Sequence, residues 1–489
     1  MTASVLRLEA RLLWREPAMR AALLALVTAF AFALWQGRAV VLEQRAAAVA
    51  AEEAAAAALQ GSRTAWERLQ AEPTLTVPAR SDPRDVAAFA TGQIVTHAIK
   101  PARGEAAFSI GQSDLYPYLV RLDLGPRDKA MVGEVENPHQ LLVGHFDPAF
   151  VVVFLLPLLL IGAAHPIGAF ERSGGGSLDA MLSIASASAR DGRRYARRVV
   201  LAAFALWLPL VALTLLAVAT GLLPDRPWRA GLAFLGLTVA YLAFWAGVMA
   251  VLAGRGATPA RTALHLVALW AVLVMVVPGI ANFTARQLSP VPPRAEFVQA
   301  MRDATDVAER ERARLLDRYF GDHPELMPAG AQAQKLPAAV ARLVTQREIE
   351  TRMAEVEARY SAALEAQQRV LARFEWLSPP LWLQSALNRI AGTDLARQRD
   401  FESQVVAHHE ALRDHFEPLI LRGRAALAAG PVHFDFPRFE YRPVRAPFPG
   451  EPVGFAVLLL AVAATWGYAL RAAPRGAPAT RQLARRARP

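Results

Sequence analysis

The chain has 489 residues, of which 54% are hydrophobic and 20% charged, with a mean hydropathy of +0.23; its apolar residues fall in long uncharged runs between two highly charged stretches, which excludes one large soluble core. It has no cysteine, so disulfides, thiolate zinc sites and cysteine nucleophiles are excluded together. A net charge of +11 and a pI near 10.5 do not imply nucleic acid as a partner, because the positive charge gathers on short connections between apolar runs rather than on one soluble face.

Residues 1–17 open the chain as an amphipathic interfacial helix, with Val5, Leu6, Leu8, Leu12 and Leu13 mostly opposite Arg7 and Arg11. Residues 18–35 form the first of six runs that approach the roughly 20 apolar residues a helix needs to cross a bilayer. A cleaved signal is not expected: the basic region before the run is long, and the nearest Ala-x-Ala-like site, Ala48 to Ala50, lies well beyond it. A first outside domain follows over 36–148. It begins with an alanine-rich stretch, Arg38 to Gln70, that is expected to continue the first span as a rigid stalk. Further on, Gly111-Gln112-Ser113-Asp114-Leu115-Tyr116-Pro117 reads as a turn cluster.

The second run is 149–170, followed by a basic loop over 171–198. Runs three and four, 199–223 and 230–253, are joined by a tight proline-rich turn, and run five is 262–283. A second outside domain, 284–452, is strongly helical in pattern over Glu296 to Phe320, Pro337 to Phe374, Leu381 to Ile390 and Leu395 to Ala428. Run six is 453–470, and a basic tail covers 471–489. Trp14, Trp35, Trp228 and Tyr468 lie near run ends, where amphipathic rings suit the headgroup region. The predicted fold class is therefore an all-α integral membrane protein with six transmembrane helices and two large, mainly helical outside domains.

Arginine asymmetry sets the expected orientation. With the N-terminus inside, the inside segments carry eighteen arginines against Glu9, Glu16, Glu171, Asp179 and Asp191; this surplus of 13 exceeds the +11 of the whole chain, so the remainder nets −2. Both termini are expected on the cytoplasmic side.

None of the six runs contains Asp, Glu or Lys. Ion-coupled carriers and proton pumps place such groups within the membrane, so transport energy is expected from a partner. Pro157, Pro209 and Pro278 fall inside runs two, three and five and are expected to bend them. No Gly-Lys pair exists, so no phosphate-binding loop is present. His408-His409-Glu410 begins like a zinc-protease helix, but position 413 is Arg where the second histidine is due, and no Gly-x-Ser-x-Gly elbow occurs. The chain is expected to hold no cofactor, metal or catalytic residue.

Glu136-Asn137-Pro138, then Leu141 to Phe146-Asp147 leading into the second run, resembles the permease subunits of type-2 ABC exporters, in the branch with two large extracytoplasmic loops, a domain-of-unknown-function family. Such permeases share a Glu-Arg…Gly-Thr-Leu motif after the second span; here it reads Glu171-Arg172 to Gly176-Ser177-Leu178, with serine for threonine and one extra residue. The likeness extends to residues 111–117, to Asp322-His323-Pro324-Glu325-Leu326, to Arg373-Phe374 and Leu377-Ser378-Pro379, and to Leu387-Asn388 and Ala391-Gly392-Thr393.

The resemblance implies a half-transporter in the bacterial inner (cytoplasmic) membrane. Its partners would be separate ABC ATPase subunits, which bind the ATP, and a second permease, identical or related; no nucleic acid is implied. The candidate ATPase-coupling residues are Glu171, Arg172, Gly176, Ser177, Leu178, Arg190, Arg193 and Arg194, and the family-like outside motifs add Gln112, Ser113, Asp114, Tyr116, Pro117, Asn137, Pro138, Phe146, Asp147, His323 and Pro324. Anchoring to anionic lipid is an equal reading of the arginines. The alternatives are a mechanotransmission or assembly component driven by an ATPase, or a membrane-anchored sensor.

Overall fold

The computed structural model describes residues 2–72, 74–78, 81–111, 113, 116–124, 146–172, 191–253, 259–322, 324, 338–422, 430–443 and 452–472. The described chain is mostly helical. Helix α1 (Thr2–Arg15) is followed at once by α2 (Pro17–Ala71), which starts with Pro17 at its first turn, where a missing N–H costs nothing. α2 runs unbroken for 55 residues, about 80 Å at 1.5 Å per residue. Its first third is the first apolar run and the rest is the alanine-rich stretch, a composition that favours the helix throughout.

The next helices are α3 (residues 148–172), α4 (Asp191–Ala219), α5 (Trp228–Ala253) and α6 (residues 259–288). Then come α7 (Arg294–Arg310), α8 (Arg312–Asp322), α9 (Ala338–Phe374), α10 (Pro379–Ala391), α11 (Leu395–Arg422) and α12 (Pro452–Ala472). α2, α4, α5 and α6 are long and apolar enough to cross a membrane; the second and sixth runs supply shorter apolar helices, Pro148–Ala164 and Gly454–Ala469. α5 is the most enclosed of the four and α6 the most peripheral.

The helical prediction for the first outside domain is incomplete. Strands β1 (Thr96–Ile99) and β2 (Leu119–Leu122) pair antiparallel, with Thr96 opposite Leu122 and Ile99 opposite Leu119.

Two apolar cores organise these elements. One gathers the apolar helices, with Phe30, Phe234, Tyr241 and Trp245 buried in it. The other joins the end of α2 and residues 81–124 to α7–α9, α11 and the segment after it, through Trp66 of α2, Phe89, Phe401 and Phe416 of α11, and Phe434. α10 breaks this division: it lies between α9 and α11 in the chain, yet Trp382, Leu383, Ala386 and Leu387 are buried in the first core.

The turn between α4 and α5 is clipped to α2. Arg45 pairs with the carboxylate of Asp225 and donates from Nε to the carbonyl of Ala102 at 2.8 Å, while Arg38 Nε reaches the carbonyl of Leu222 at 2.9 Å. The N–H of Gly104 donates to Asp225 Oδ2 at 3.1 Å. A side chain at Gly104 would run into the Pro224 backbone, so only glycine permits this approach. Asp225 and Arg226 both take positive φ, 59° and 46°, an unfavourable geometry for residues with a Cβ, which the Arg45 and Gly104 contacts hold in place.

Of the apolar face expected of α1, only the Leu12 and Leu13 side chains are among those described. Leu13 is buried, but Leu12 is exposed and the acid Glu9, one turn before Leu13, takes the inner position. Arg197 of α4 lies 3.8 Å from Glu9 Oε1 and offsets part of the cost of burying that charge. Trp14, Trp35, Trp228 and Tyr468 are all exposed on the protein surface, as rings seated in a headgroup layer would be.

Candidate functional site

α10 is a strongly specified helix. Ser378 accepts the N–H of Leu381 at 3.3 Å as N-cap, Pro379 occupies the first turn, and Gly392 closes the helix with φ 70°. Beyond it, the N–H of Thr393 donates to the Asn388 carbonyl at 2.9 Å.

This helix grips the loop that leads into the 111–117 motif. The Ser109 hydroxyl donates to Asn388 Oδ1 at 2.6 Å, and Gln384 Nε2 donates to the same oxygen at 3.0 Å. The Thr393 hydroxyl donates to the Ser109 carbonyl at 2.9 Å. Gly111 follows with φ 60° against the Asn388 carboxamide, a conformation and a clearance that suit glycine alone.

The same loop is tied to α3. Asp147 caps α3 by accepting the N–H of Phe150 at Oδ1, 2.7 Å, while its Oδ2 takes the N–H of Ile110 at 2.8 Å. One buried carboxylate thus joins the loop to the helix start. Phe146, just before it, lies between Phe32 and Phe150, with ring centroids 5.7 and 5.1 Å away.

Below this joint, α3 and α6 each carry a π turn, over Val151–Leu155 and Val272–Val276. Each begins six residues before a proline, Pro157 or Pro278. In α3 the Leu156 N–H is committed to the Val151 carbonyl and Pro157 has no N–H, so the carbonyls of Val152 and Val153 lose their helical donors. The Tyr241 hydroxyl of α5 supplies one, 3.0 Å from the Val153 carbonyl. In α6 the Val277 N–H is committed to Val272 and Pro278 has none, which strands the carbonyls of Leu273 and Val274. Ser378 donates its hydroxyl to Leu273 at 2.6 Å. Each of these two prolines thus goes with a carbonyl that a hydroxyl from another helix takes up.

On the domain side, Gln398 of α11 donates to the Pro117 carbonyl at 3.2 Å and accepts from Lys100 Nζ at 2.6 Å. Burial lowers the Lys100 amine to about 8; Arg397 acts in the same direction, and Asp394 and Glu402 oppose both. Burial and then Glu402 raise the Tyr116 phenol, with Arg399 opposing.

The family-like motif residues therefore separate. Ser113, whose hydroxyl donates to the Ile110 carbonyl at 2.7 Å, belongs to this joint with Tyr116, Pro117, Phe146 and Asp147. Pro324 is exposed, whereas Gln112, Asp114, Asn137, Pro138 and His323 lie outside the described residues. Gly176, Ser177, Leu178 and Arg190 also lie outside them. Glu171 and Arg172 end α3, and Arg193 and Arg194 stand in the first turn of α4. Gln384, Gln398, Lys100 and Tyr241 were not singled out by the sequence, although Lys100 is one of three lysines in the chain. In the joint, hydroxyls, carboxamides and a carboxylate are spent on backbone and on one another, which suits a mechanical connection better than a reaction centre. Among the described residues, no group of three or more His, Asp or Glu side chains is placed to hold a metal.

A family model described as a domain of unknown function, DUF3526, matches residues 294–442, from α7 to the segment after α11, and so includes α10 and Gln398. No curated protein and no solved structure matches the chain.

Proposed function

We propose that this chain is the membrane-spanning permease subunit of an ATP-driven exporter of the ABC class. It crosses a bacterial inner membrane six times with both termini in the cytoplasm, and it works with a second permease and separate ATPase subunits. The observation that carries the reading is the continuity of α4: Arg193 and Arg194, in the basic segment suited to docking, lie on the same unbroken helix as the third apolar run. A push on that segment moves a span directly. The Glu9–Arg197 pair adds α1 to the same unit. The absence of Asp, Glu and Lys from the six apolar runs supports an energy source outside this chain.

A second reading, mechanotransmission to the outside domains without passage of a substrate, is favoured by the unbroken course of α2 from the first run into the outer core. Gentle purification from native membrane, followed by ATPase assay of the complex, tests the first premise of both. A co-purifying ATPase whose coupling is lost on reversing charge at Arg193 and Arg194 supports them; no retained ATPase under any mild condition overturns them and leaves a sensor. ATP-dependent movement of a substrate in vesicles then separates export from mechanotransmission.

A further inference from the structure

The two π turns are held by neighbours of very different kinds. Tyr241 sits on another apolar helix of the same core, whereas Ser378 heads α10, a helix supplied by the outside domain. α10 lies against both turns. It reaches α3 a second way, because Asn388 and Thr393 hold the loop whose Ile110 N–H rests on the α3 cap, Asp147.

We propose that α10 is a latch through which the outside domain sets the helical register of two spans, α3 and α6, together. A π turn stores one extra residue in a helix. Its loss or migration turns the helix beyond it by about 100° and shifts it by about 1.5 Å, the angle and rise of one residue. What keeps the α6 turn in place is a donor for a carbonyl that its own helix cannot serve, and in an apolar surrounding an unserved carbonyl is costly. The Ser378 hydroxyl is that donor, and it moves with α10. Withdrawal of α10 therefore removes the donor at Leu273 and, through Asn388, Thr393 and Asp147, loosens the start of α3. The prolines make this specific: at Pro157 and Pro278 no backbone N–H is available to repair the gap. The inference does not depend on what drives the movement, and its test uses no ATPase.

Hydrogen exchange of the full-length protein in lipid nanodiscs, read by mass spectrometry, tests it. Ser378→Ala is expected to speed exchange over residues 272–278 by up to about tenfold, the loss of one hydrogen bond, while Ser378→Thr keeps native protection. Asn388→Ala, which removes the side chain that bonds Ser109 and Gln384, is expected to speed exchange over 151–157 and 272–278 together, with 398–416 still protected. Native protection at 272–278 in Ser378→Ala overturns the latch. A rise at one turn alone, or only at 109–113, in Asn388→Ala overturns the coupling. Should Asn388→Ala fail to fold, Thr393→Val weakens the same grip and is read in the same way.

Discussion

The hydroxyl of Tyr241 on α5 lies 3.0 Å from the carbonyl of Val153 on α3, donated from a ring that is itself fully buried. Deleting the oxygen leaves that carbonyl without its donor in a site water does not reach. Tyr241→Phe is expected to lower stability in detergent micelles by about 1–2 kcal/mol, between the typical membrane value and the cost of an orphaned buried acceptor. An unchanged denaturation midpoint would show that the carbonyl finds another donor.

Asp147 carries two N–H groups from different parts of the chain, Phe150 and Ile110. Asp147→Ala removes both acceptors and is expected to cost about 2 kcal/mol, the upper end for a lost helix cap. Asp147→Asn, which keeps one acceptor oxygen, should recover roughly half. Equal losses in the two variants would mean that only one of the two contacts matters.

Beside the second apolar core, Arg413 of α11 forks onto Glu350 of α9, with both N–O distances 2.6 Å and both side chains largely enclosed. Burial alone would raise the Glu350 carboxyl, but the Arg413 hydrogen bonds and charge outweigh it, and the group is held below its ordinary value. A depressed carboxyl stabilises the fold above its ordinary range, and that contribution is lost as pH falls through the lowered value. Arg413→Met is expected to cost about 2 kcal/mol at neutral pH, between an exposed and a fully buried pair. The difference from the native protein should shrink in acid; a difference that stays constant to low pH would separate the effect from charge.

His433 is fully buried among Trp66, Phe89 and Phe434, with ring centroids 5.2, 4.9 and 4.1 Å away. Burial lowers its imidazole to about 4, the neighbouring His415 adds to the fall, and neither ring nitrogen has a hydrogen-bond partner to hold a proton. The unfolded chain therefore binds a proton that the folded one refuses between pH 6.5 and about 4, so the second core loses stability as pH falls through that window. The fluorescence of Trp66, isolated by difference against Trp66→Phe, should report the loss. His433→Phe should flatten the pH response, and an unaltered response would move its origin to His97, His408 or His415, whose imidazoles are also lowered by burial.

Lys100 is expected to be half neutral near pH 8, because burial outweighs the acids around it. Acetylation followed by mass spectrometry distinguishes it from the only other lysines, Lys129 and Lys335. Its reaction should rise to a plateau above pH 8, whereas an ordinary lysine continues to gain reactivity to about pH 10. Gln398→Ala should change its rate, since Gln398 is its direct partner.

Much of the skeleton was legible in the residues. The apolar runs stand out because a lipid-facing helix needs sustained hydropathy, and the alanine-rich sequence after Trp35 has no proline to stop α2. Other features depend on distant partners. The bounds of α10 are visible in Ser378-Pro379 and Ala391-Gly392, but Trp382, Leu383 and Leu387 have the same spacing whether a helix buries them among spans or in a soluble core. Pro157 and Pro278 announce disturbed helices without revealing that Tyr241 and Ser378 repair them, because those residues are 88 and 105 positions from the carbonyls they meet. β1 and β2 are four residues each, too short for alternation to show. Glu9 reads as a polar-face residue until Arg197 is found opposite it.

α2 passes from the apolar core to Trp66 and Leu69 without a proline, a π turn or a break. Set across a bilayer as proposed, α2 would give about 30 Å of its roughly 80 Å to the hydrocarbon, and the remainder would form an arm longer than the part lipid can hold. Geometry then supplies gain: a small tilt about the arm's lipid-held end sweeps its far tip through a proportionally larger arc. A few degrees of rocking would shift the aromatic cluster around His433 by several ångströms without any joint along the shaft having to flex, and a force applied to that cluster would return to the bilayer as torque.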